Sequence, residues 1–315
     1  MGMTTETTER QPGTAMVFPG MGPVKFADVG EFLTFNSHAR KRLKVADEVL
    51  GYSLMDRYRR SADDYDEAAQ VAFLTVSSAL ADWAEESLEV RPVICAGPSF
   101  GQRAMAAYSG ALSFADTVRL TVRLARCEAE YFATEYEDVV TLTFLRTPRE
   151  RLDEILAELT ERGEYFDFSG YLDRDFYMLS LREPMLDWMR GRISAAGGYS
   201  LYTMRPPVHA AAFGKLRRRV EEEVFGEFDF AAPRLPVVAD QDGSLVTTAA
   251  GLRTMLLDTF DRPVHWERVT RTLREQGVRR ICMAGPENIF ARLDCTTADF
   301  ELLSATPERT LRQQA

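Results

Sequence analysis

Histidine is the scarcest chemistry-bearing residue in this 315-residue chain, with three: His38, His209 and His265. Cysteine is nearly as rare. Cys95, Cys127, Cys282 and Cys295 are scattered, and no two have the spacing of a zinc site or a redox motif. That leaves no metal-ligand pattern to read. Cys95 and Cys282 sit in apolar runs and read as buried hydrophobes, which fits a reducing, cytoplasmic setting. No apolar run approaches the ~20 residues of a membrane span. Residues 1–13 are polar, with no basic stretch and no apolar core, so they read as a disordered leader and not as a signal peptide. Positive charge is also lacking. A net charge of −10 excludes the broad basic field of a nucleic-acid binder. The local clusters Arg40–Lys44 and Lys215–Arg219 read as solvated helix faces or, more sharply, as docking patches for an acidic partner. Hydrophobic content of 45% and charged content of 27% are ordinary for a globular chain of one large domain or two smaller ones.

What is present is concentrated in one stretch. Val93-Ile94-Cys95-Ala96 is a short apolar run that ends in Gly97-Pro98-Ser99-Phe100-Gly101, and a helix-compatible segment follows from Gln102. Strand, Gly-x-Ser-x-Gly and helix in that order make a nucleophile elbow, a sharp turn that exposes one serine. The glycines allow backbone to pass close to backbone. The helix N-terminus behind the serine favours developing negative charge. Ser99 is therefore the candidate acyl carrier, and the blander alternative is a Gly-rich βα turn.

Helical periodicity runs through Phe35–Leu50, Ala68–Glu86 and Phe114–Phe132, the last opened by the N-cap Ser113. From residue 137 the pattern changes. A strand at 139–145, a helix at 147–162, strands at 165–168 and 175–181, a helix at 182–196 and a strand at 199–204 give β-α-β-β-α-β, the order of a ferredoxin-like unit. Strands and helices then alternate again, with a helix at 210–225, a strand at 235–239 and a strand at 280–284, which implies a mostly parallel sheet. The expected fold is α/β: a large α/β-hydrolase-like subdomain over 14–136 and 206–303, a small ferredoxin-like insert over 137–205, and a tail from 304 to 315.

If Ser99 needs a base, three histidines compete. His38 lies among charged residues and is expected at the surface. His265 opens a helix and is expected to be structural. His209 follows Pro206-Pro207 where the insert rejoins the large domain, the seam where a cleft would form. It is the candidate by elimination, against the alternative of a satisfied buried histidine. Most of the acids between Ser99 and His209 fall in the insert, and the alternative to a hydrolase triad is a Ser–His dyad.

These motifs resemble the malonyl-CoA:acyl-carrier-protein transacylases and the acyltransferase domains of polyketide synthases, from about Ala15 to Leu303. Phe18-Pro19-Gly20-Met21-Gly22 is similar to that family's Phe-Pro-Gly-Gln-Gly, and Gly97–Gly101 to its Gly-His-Ser-x-Gly. Gly110–Asp116, Pro207-Val208-His209, Arg262–Trp266 and Gly285-Pro286-Glu287 match its remaining landmarks in order. The resemblance implies that Ser99 attacks a thioester and holds the acyl group as an ester. It implies that His209 deprotonates Ser99 and then the incoming thiol. The backbone N–H groups of Met21 and Phe100 form the oxyanion hole, and the backbone carbonyl near Asp240 orients His209. No cofactor is implied beyond the phosphopantetheine carried by donor and acceptor. The partners implied are acyl carrier proteins, with acyl-CoA as a possible donor and neither nucleic acid nor membrane.

The departures from the family pattern gather around the acyl pocket. The arginine that pairs with a malonyl carboxylate falls here at Leu124, flanked by Arg123 and Arg126. Pro98 replaces the histidine before the serine, and Pro206-Pro207-Val208-His209 matches neither usual specificity signature. Pro98, Leu124, Arg126, Pro206 and Val208 are thus the expected pocket residues. The acyl group is expected to be uncharged at its end, and larger than malonyl. The pattern is similar to stand-alone acyltransferases of macrolactam polyketide biosynthesis, which move aminoacyl or dipeptidyl groups between carrier proteins. Arg146, Arg149, Arg151, Lys215 and Arg217 are candidates to steer an acidic carrier protein. Three other readings stand beside this one: a malonyl transacylase in which Arg123 or Arg126 rescues carboxylate binding, a thioesterase that clears stalled carriers, and a silent docking domain.

Overall fold

The computed structural model describes residues 13–286 and 289–312. Gly13, expected in the leader, opens the first strand, and the expected tail continues a strand through Ala305 and forms a helix, Pro307–Arg312; residues 1–12, Glu287 of the Gly-Pro-Glu turn and residues 313–315 lie outside the described residues. The described strands in chain order are β1 (Gly13–Val17), β2 (Pro92–Ala96), β3 (Val139–Leu145), β4 (Phe166–Asp173), β5 (Phe176–Arg182), β6 (Tyr199–Met204), β7 (Val237–Val238), β8 (Leu245–Val246), β9 (Val264–His265), β10 (Val278–Ala284) and β11 (Glu301–Ala305).

The large sheet has the order β11-β10-β1-β2-β7-β8. It is parallel throughout except for β8, which pairs antiparallel to β7. A parallel sheet is covered on both faces, so the buried centres of its strands are near-continuous apolar runs, as in Ala15-Met16-Val17 and Ile281-Cys282-Met283-Ala284. Met16, Cys95 and Cys282 sit side by side in register on one face and pack in the cluster that contains the Glu67–Ser87 helix. Ala15, Val17, Ile94, Ala96, Ile281 and Met283 alternate onto the other face and pack with Trp266, Val269 and Leu273. Burial pushes the Cys95 and Cys282 thiols up to about 12, so both stay protonated and behave as hydrophobes.

The insert has the antiparallel order β6-β3-β5-β4. With the Arg149–Glu161 and Leu186–Ala195 helices it forms a ferredoxin-like unit around its own core of Val140, Leu142, Phe144, Ile155, Leu179 and Met189. One feature departs from the expected plan. The small sheet takes a further strand, β9, from the large subdomain, parallel to β4 with Gly170 opposite Val264 and Tyr171 opposite His265. A two-residue strand carries no periodicity and leaves no trace in the sequence.

Some expected elements are shorter or broken. The helix expected over Phe35–Leu50 begins at Ser37, because the Asn36 side chain caps it by accepting the His38 and Ala39 N–H groups, and a helix not expected from the sequence, Phe26–Phe35, precedes it. The helix expected over 210–225 is a tight turn, Ala211–Phe213, and then a helix, Gly214–Glu223. The strand expected over 235–239 shrinks to β7, since Pro236 has no N–H for the ladder. His38, expected at the surface, is buried against Glu86, with Nε2 3.3 Å from the carboxylate.

The loop after β1 and the elbow after β2 interlock. A Cβ on Gly101 would lie 2.1 Å from the Phe18 carbonyl oxygen, and one on Gly97 2.3 Å from the Gly101 carbonyl oxygen. Gly101→Ala must push two buried backbones apart. The expected outcome is a stability loss at or above the top of the ~1–3 kcal/mol overpacking range, read as a fall in the denaturant midpoint at unchanged slope.

Candidate active site

Ser99 stands between β2 and the Gly101–Tyr108 helix with φ 54°, in the left-handed region that non-glycine residues rarely occupy. Such a conformation persists only where the surroundings over-determine it. Here the Ser99 N–H donates to the Asp240 Oδ2 at 2.7 Å, and the Gln102 Nε2 donates to the Asp240 Oδ1 at 2.6 Å. Asp240 follows β7, the strand beside β2, so a carboxylate from the neighbouring strand holds the elbow from beneath. Burial pushes its carboxyl up to about 7, against the opposing pull of those two hydrogen bonds.

His209 approaches from the other side. Its Nε2 lies 2.7 Å from the Ser99 Oγ, a nucleophile–base hydrogen bond. The residue also has a left-handed φ, 73°. Its N–H donates to the Phe260 carbonyl at 3.0 Å, and two residues on, the Ala211 N–H donates to the Asp167 carboxylate of β4 at 2.9 Å. Both subdomains therefore hold the histidine segment. Burial lowers His209 to about 4, so the ring is a neutral base at ordinary pH.

The expected orienting group needs correction. The Asp240 backbone carbonyl accepts the His265 N–H at 2.7 Å and is not among the groups that bond the His209 ring. The His209 Nδ1 is buried and makes no hydrogen bond of good geometry. The acceptors that favour a proton on the ring are the backbone carbonyls of Arg262 and Thr259. The role of Asp240 is played by its side chain, on the serine. His265 itself stacks on Tyr171 with ring centroids 4.7 Å apart, across the β4–β9 pair.

A cavity of about 60 Å³ opens at the pair, lined among others by Met21, Ser99, Phe100, Leu120, Leu124, Pro206, Val208 and His209. Met21 and Phe100, the expected oxyanion residues, thus share the space beside Ser99. Two expected pocket residues do not line it. Arg126 points to solvent and pairs with Glu67 at 2.7 Å, because two positions past Leu124 at about 100° per residue turn its side chain to the far side of the helix. Pro98 is buried beneath the elbow, where its carbonyl accepts the Gly101 N–H. Arg123 likewise points away, to Glu227 at 2.6 Å, so neither flanking arginine can stand in at Leu124.

Sequence reasoning missed the polar residues of this wall, among them Gln70, Arg103 and Glu128. Arg103 lies one helical turn after Ser99, and Glu128 one turn after Leu124 on the stripe Leu120-Leu124-Glu128. Helical spacing alone places both on the cavity side. Among the expected docking residues, Arg149 and Arg151 pair locally with Asp153 and Glu154, Lys215 with Glu135, and Arg217 with Asp258. Arg146 stands over the Tyr199 ring at 5.6 Å and lines an open groove with Phe176 and Leu201.

Known proteins match this geometry along nearly the whole chain. Residues 143–204 match the family model described as the VinK acyltransferase small domain. The malonyl CoA-acyl carrier protein transacylase of Salmonella typhimurium is 23% identical over 93% of this chain and 96% of its own length. The polyketide biosynthesis protein ThaF of Burkholderia thailandensis is 26% identical over 89% of this chain, which spans 24% of that protein. A solved type II polyketide synthase malonyl-transacylase, in complex with its acyl-carrier protein, superposes with a TM-score of 0.79 at 21% identity over 96% of this chain and 99% of its own. The homologues and structural neighbours are thus the malonyl transacylases and polyketide acyltransferases that the motifs resemble. No helix among the described residues is long and apolar enough to cross a membrane.

Two predictions follow from this geometry. Asp240→Ala leaves the Ser99 N–H without its acceptor, a loss of about 1–3 kcal/mol, read as lower stability together with slower acylation of Ser99. Asp240→Asn keeps an acceptor, and the unpartnered Gln102 Oε1 can take its new N–H, so it retains most of both. The second concerns pH. His209 accepts the Ser99 proton only when neutral, and its lowered pKa keeps it neutral as pH falls through 6.5, with loss setting in only toward about 4. Single-turnover acylation after a brief pH jump should show that low acid limb, and a limb near 6.5 would contradict the burial argument.

Proposed function

We propose that this chain is an acyltransferase that takes an acyl group from a thioester onto Ser99 and passes it to the phosphopantetheine thiol of an acyl carrier protein in polyketide biosynthesis. The observation that carries this reading is the 2.7 Å contact between the Ser99 Oγ and the His209 Nε2 at the mouth of a mostly apolar cavity. The names of the relatives, transacylases and polyketide biosynthesis proteins, point the same way.

In the first half-reaction the Ser99 Oγ attacks the thioester carbonyl while His209 takes its proton. Charge develops on the carbonyl oxygen, which the Met21 and Phe100 N–H groups would hold. The thiolate leaves with the proton from His209, and the acyl group rests on Ser99 as an ester. In the second half-reaction His209 removes the proton of the incoming thiol, whose sulfur attacks the ester and releases Ser99. The neutral state of His209 suits both steps. A transferase must also keep water from the ester, and the small, largely apolar cavity serves that end.

The acyl group we assign is uncharged at its end. Leu124 offers no guanidinium, and Arg123 and Arg126 are engaged with Glu227 and Glu67 outside the cavity. A carboxylate buried there would lack a partner, a penalty that hydrogen-bonded charge otherwise avoids. An aminoacyl or dipeptidyl group delivered by a carrier protein is the form this takes by resemblance. Arg146, at its open groove, is the docking candidate we favour.

Ser99→Ala should abolish acyl loading and His209→Ala should slow it by roughly 10²–10⁴-fold, read by intact-protein mass spectrometry with acyl thioesters of carrier protein and of coenzyme A. An acyl adduct that persists in Ser99→Ala would overturn the assignment. An adduct that forms on the native enzyme but hydrolyses without a thiol acceptor would favour a thioesterase.

A further inference from the structure

The cavity contains a charge pair that the transfer chemistry does not use. The Arg103 Nη2 donates to the Glu128 Oε1 at 2.9 Å, and the Arg103 Nη1 donates to the Gln70 Oε1 at 2.7 Å. Gln70 is itself fixed, because its Nε2 donates to the Tyr65 carbonyl at 2.9 Å. The guanidinium lies over the Phe100 ring, 4.6 Å from its centroid, directly behind the elbow. Both members of the pair are deeply buried, with side-chain exposures of 10% and 5%. All three polar residues line the same cavity as Ser99, Leu124 and His209.

A buried ion pair contributes little stability compared with an apolar pair of the same volume, so its presence in a substrate wall calls for a reason in recognition. Leu124 and Glu128 are successive cavity-facing positions of one helix. The stripe thus carries no cation where a carboxylate clamp would sit, and an anion one turn further on. That anion occupies the one buried arginine of the wall. A free carboxylate entering the cavity meets an arginine already neutralised and a second carboxylate at close range.

We propose that Arg103 is a latent carboxylate clamp held shut by Glu128, so that the Arg103–Glu128 pair, and not Leu124 alone, excludes acyl groups with a free carboxylate and admits neutral ones. This rests on the acyltransferase reading above and deepens it. Glu128 is a specificity-determining residue that acts by occupying Arg103. Neutralising it without shortening it leaves a cationic guanidinium facing the acyl end.

The test measures acylation of Ser99 by the N-acetylcysteamine thioesters of malonate and of propionate, with the full chain and intact-protein mass spectrometry. The native enzyme should load propionyl and load malonyl poorly. Glu128→Gln should raise the malonyl-to-propionyl ratio by roughly tenfold or more, the range of one charge-assisted pair. The double variant Arg103→Met/Glu128→Met removes both charges and keeps the volume, so it guards against a fold failure caused by an unpaired arginine. It should load propionyl and show no malonyl gain. Native enzyme that loads malonyl as well as propionyl would overturn the exclusion and leave the acyltransferase reading intact. So would a malonyl gain in the double variant, or a soluble Glu128→Gln that loads propionyl with an unchanged ratio. Native enzyme that acylates Ser99 with neither thioester, nor with the same acyl groups and aminoacyl groups carried on an acyl carrier protein, would sink the acyltransferase reading itself.

Discussion

Everything at this site depends on two backbones that touch. The turn after β1 and the elbow after β2 pass so closely that a single methyl on Gly101 would overlap the Phe18 carbonyl. The same closeness sets Gly20 against the elbow, where a Cβ would meet the Ser99 Cβ at 3.4 Å. Two adjacent parallel strands therefore deliver, at their C-terminal ends, the serine and the turn that would stabilise its intermediate. A third strand, β7, adds the carboxylate that holds the serine N–H. The sheet order β1-β2-β7 makes these three chain segments neighbours, although Ser99 and Asp240 lie 141 positions apart in the chain.

The histidine is positioned by a different device. His209 lies in neither sheet. Its segment is gripped between Phe260 from the large subdomain and Asp167 from the small one. β9 then crosses from one subdomain to add a strand to the sheet of the other. The carbonyls that face the His209 ring, Thr259 and Arg262, immediately precede that strand. The geometry of the base is thus tied to the docking of the two subdomains. An insertion that could have been a loosely attached module is instead bound rigidly into the alignment of Ser99 with His209.

Legibility in the sequence followed the range of the interactions. Elements with long periodic patterns, such as the Glu67–Ser87 and Phe114–Phe132 helices and the β-α-β-β-α-β insert, could be read because periodicity is a local property. Ser99 could be read because an elbow is local too, and the scarcity of histidine made His209 a short inference. What could not be read depends on tertiary placement. β9 is too short to carry a pattern. Asp240 was placed at the right spot with the wrong atom, because only the fold shows that its carbonyl is spent on His265 and its carboxylate on Ser99. Arg126 and Leu124 are two residues apart on one helix and face opposite environments. Position along the chain pointed to both, while helical phase selects one.

Helical phase also brings two charges into the cavity wall that the expected pocket residues did not include. Counting from the missing clamp at Leu124 identifies what was removed, but not what replaced it four residues on. Arg103 and Glu128 are ordinary helix-surface residue types, and nothing local distinguishes them from the solvent-exposed pairs elsewhere in the chain, such as Arg149 with Asp153. Burial makes the difference. In solvent such a pair contributes at most about 1 kcal/mol and constrains nothing, whereas in a cavity each charge must keep its partner because neither can be rehydrated. Desolvation pushes the Glu128 carboxyl up and the Arg103 guanidinium down, and each opposes the shift in the other. An anionic ligand would have to break that mutual dependence before it could form its own. A neutral one leaves it untouched, so the wall discriminates by the state of a pair and not by the identity of one side chain.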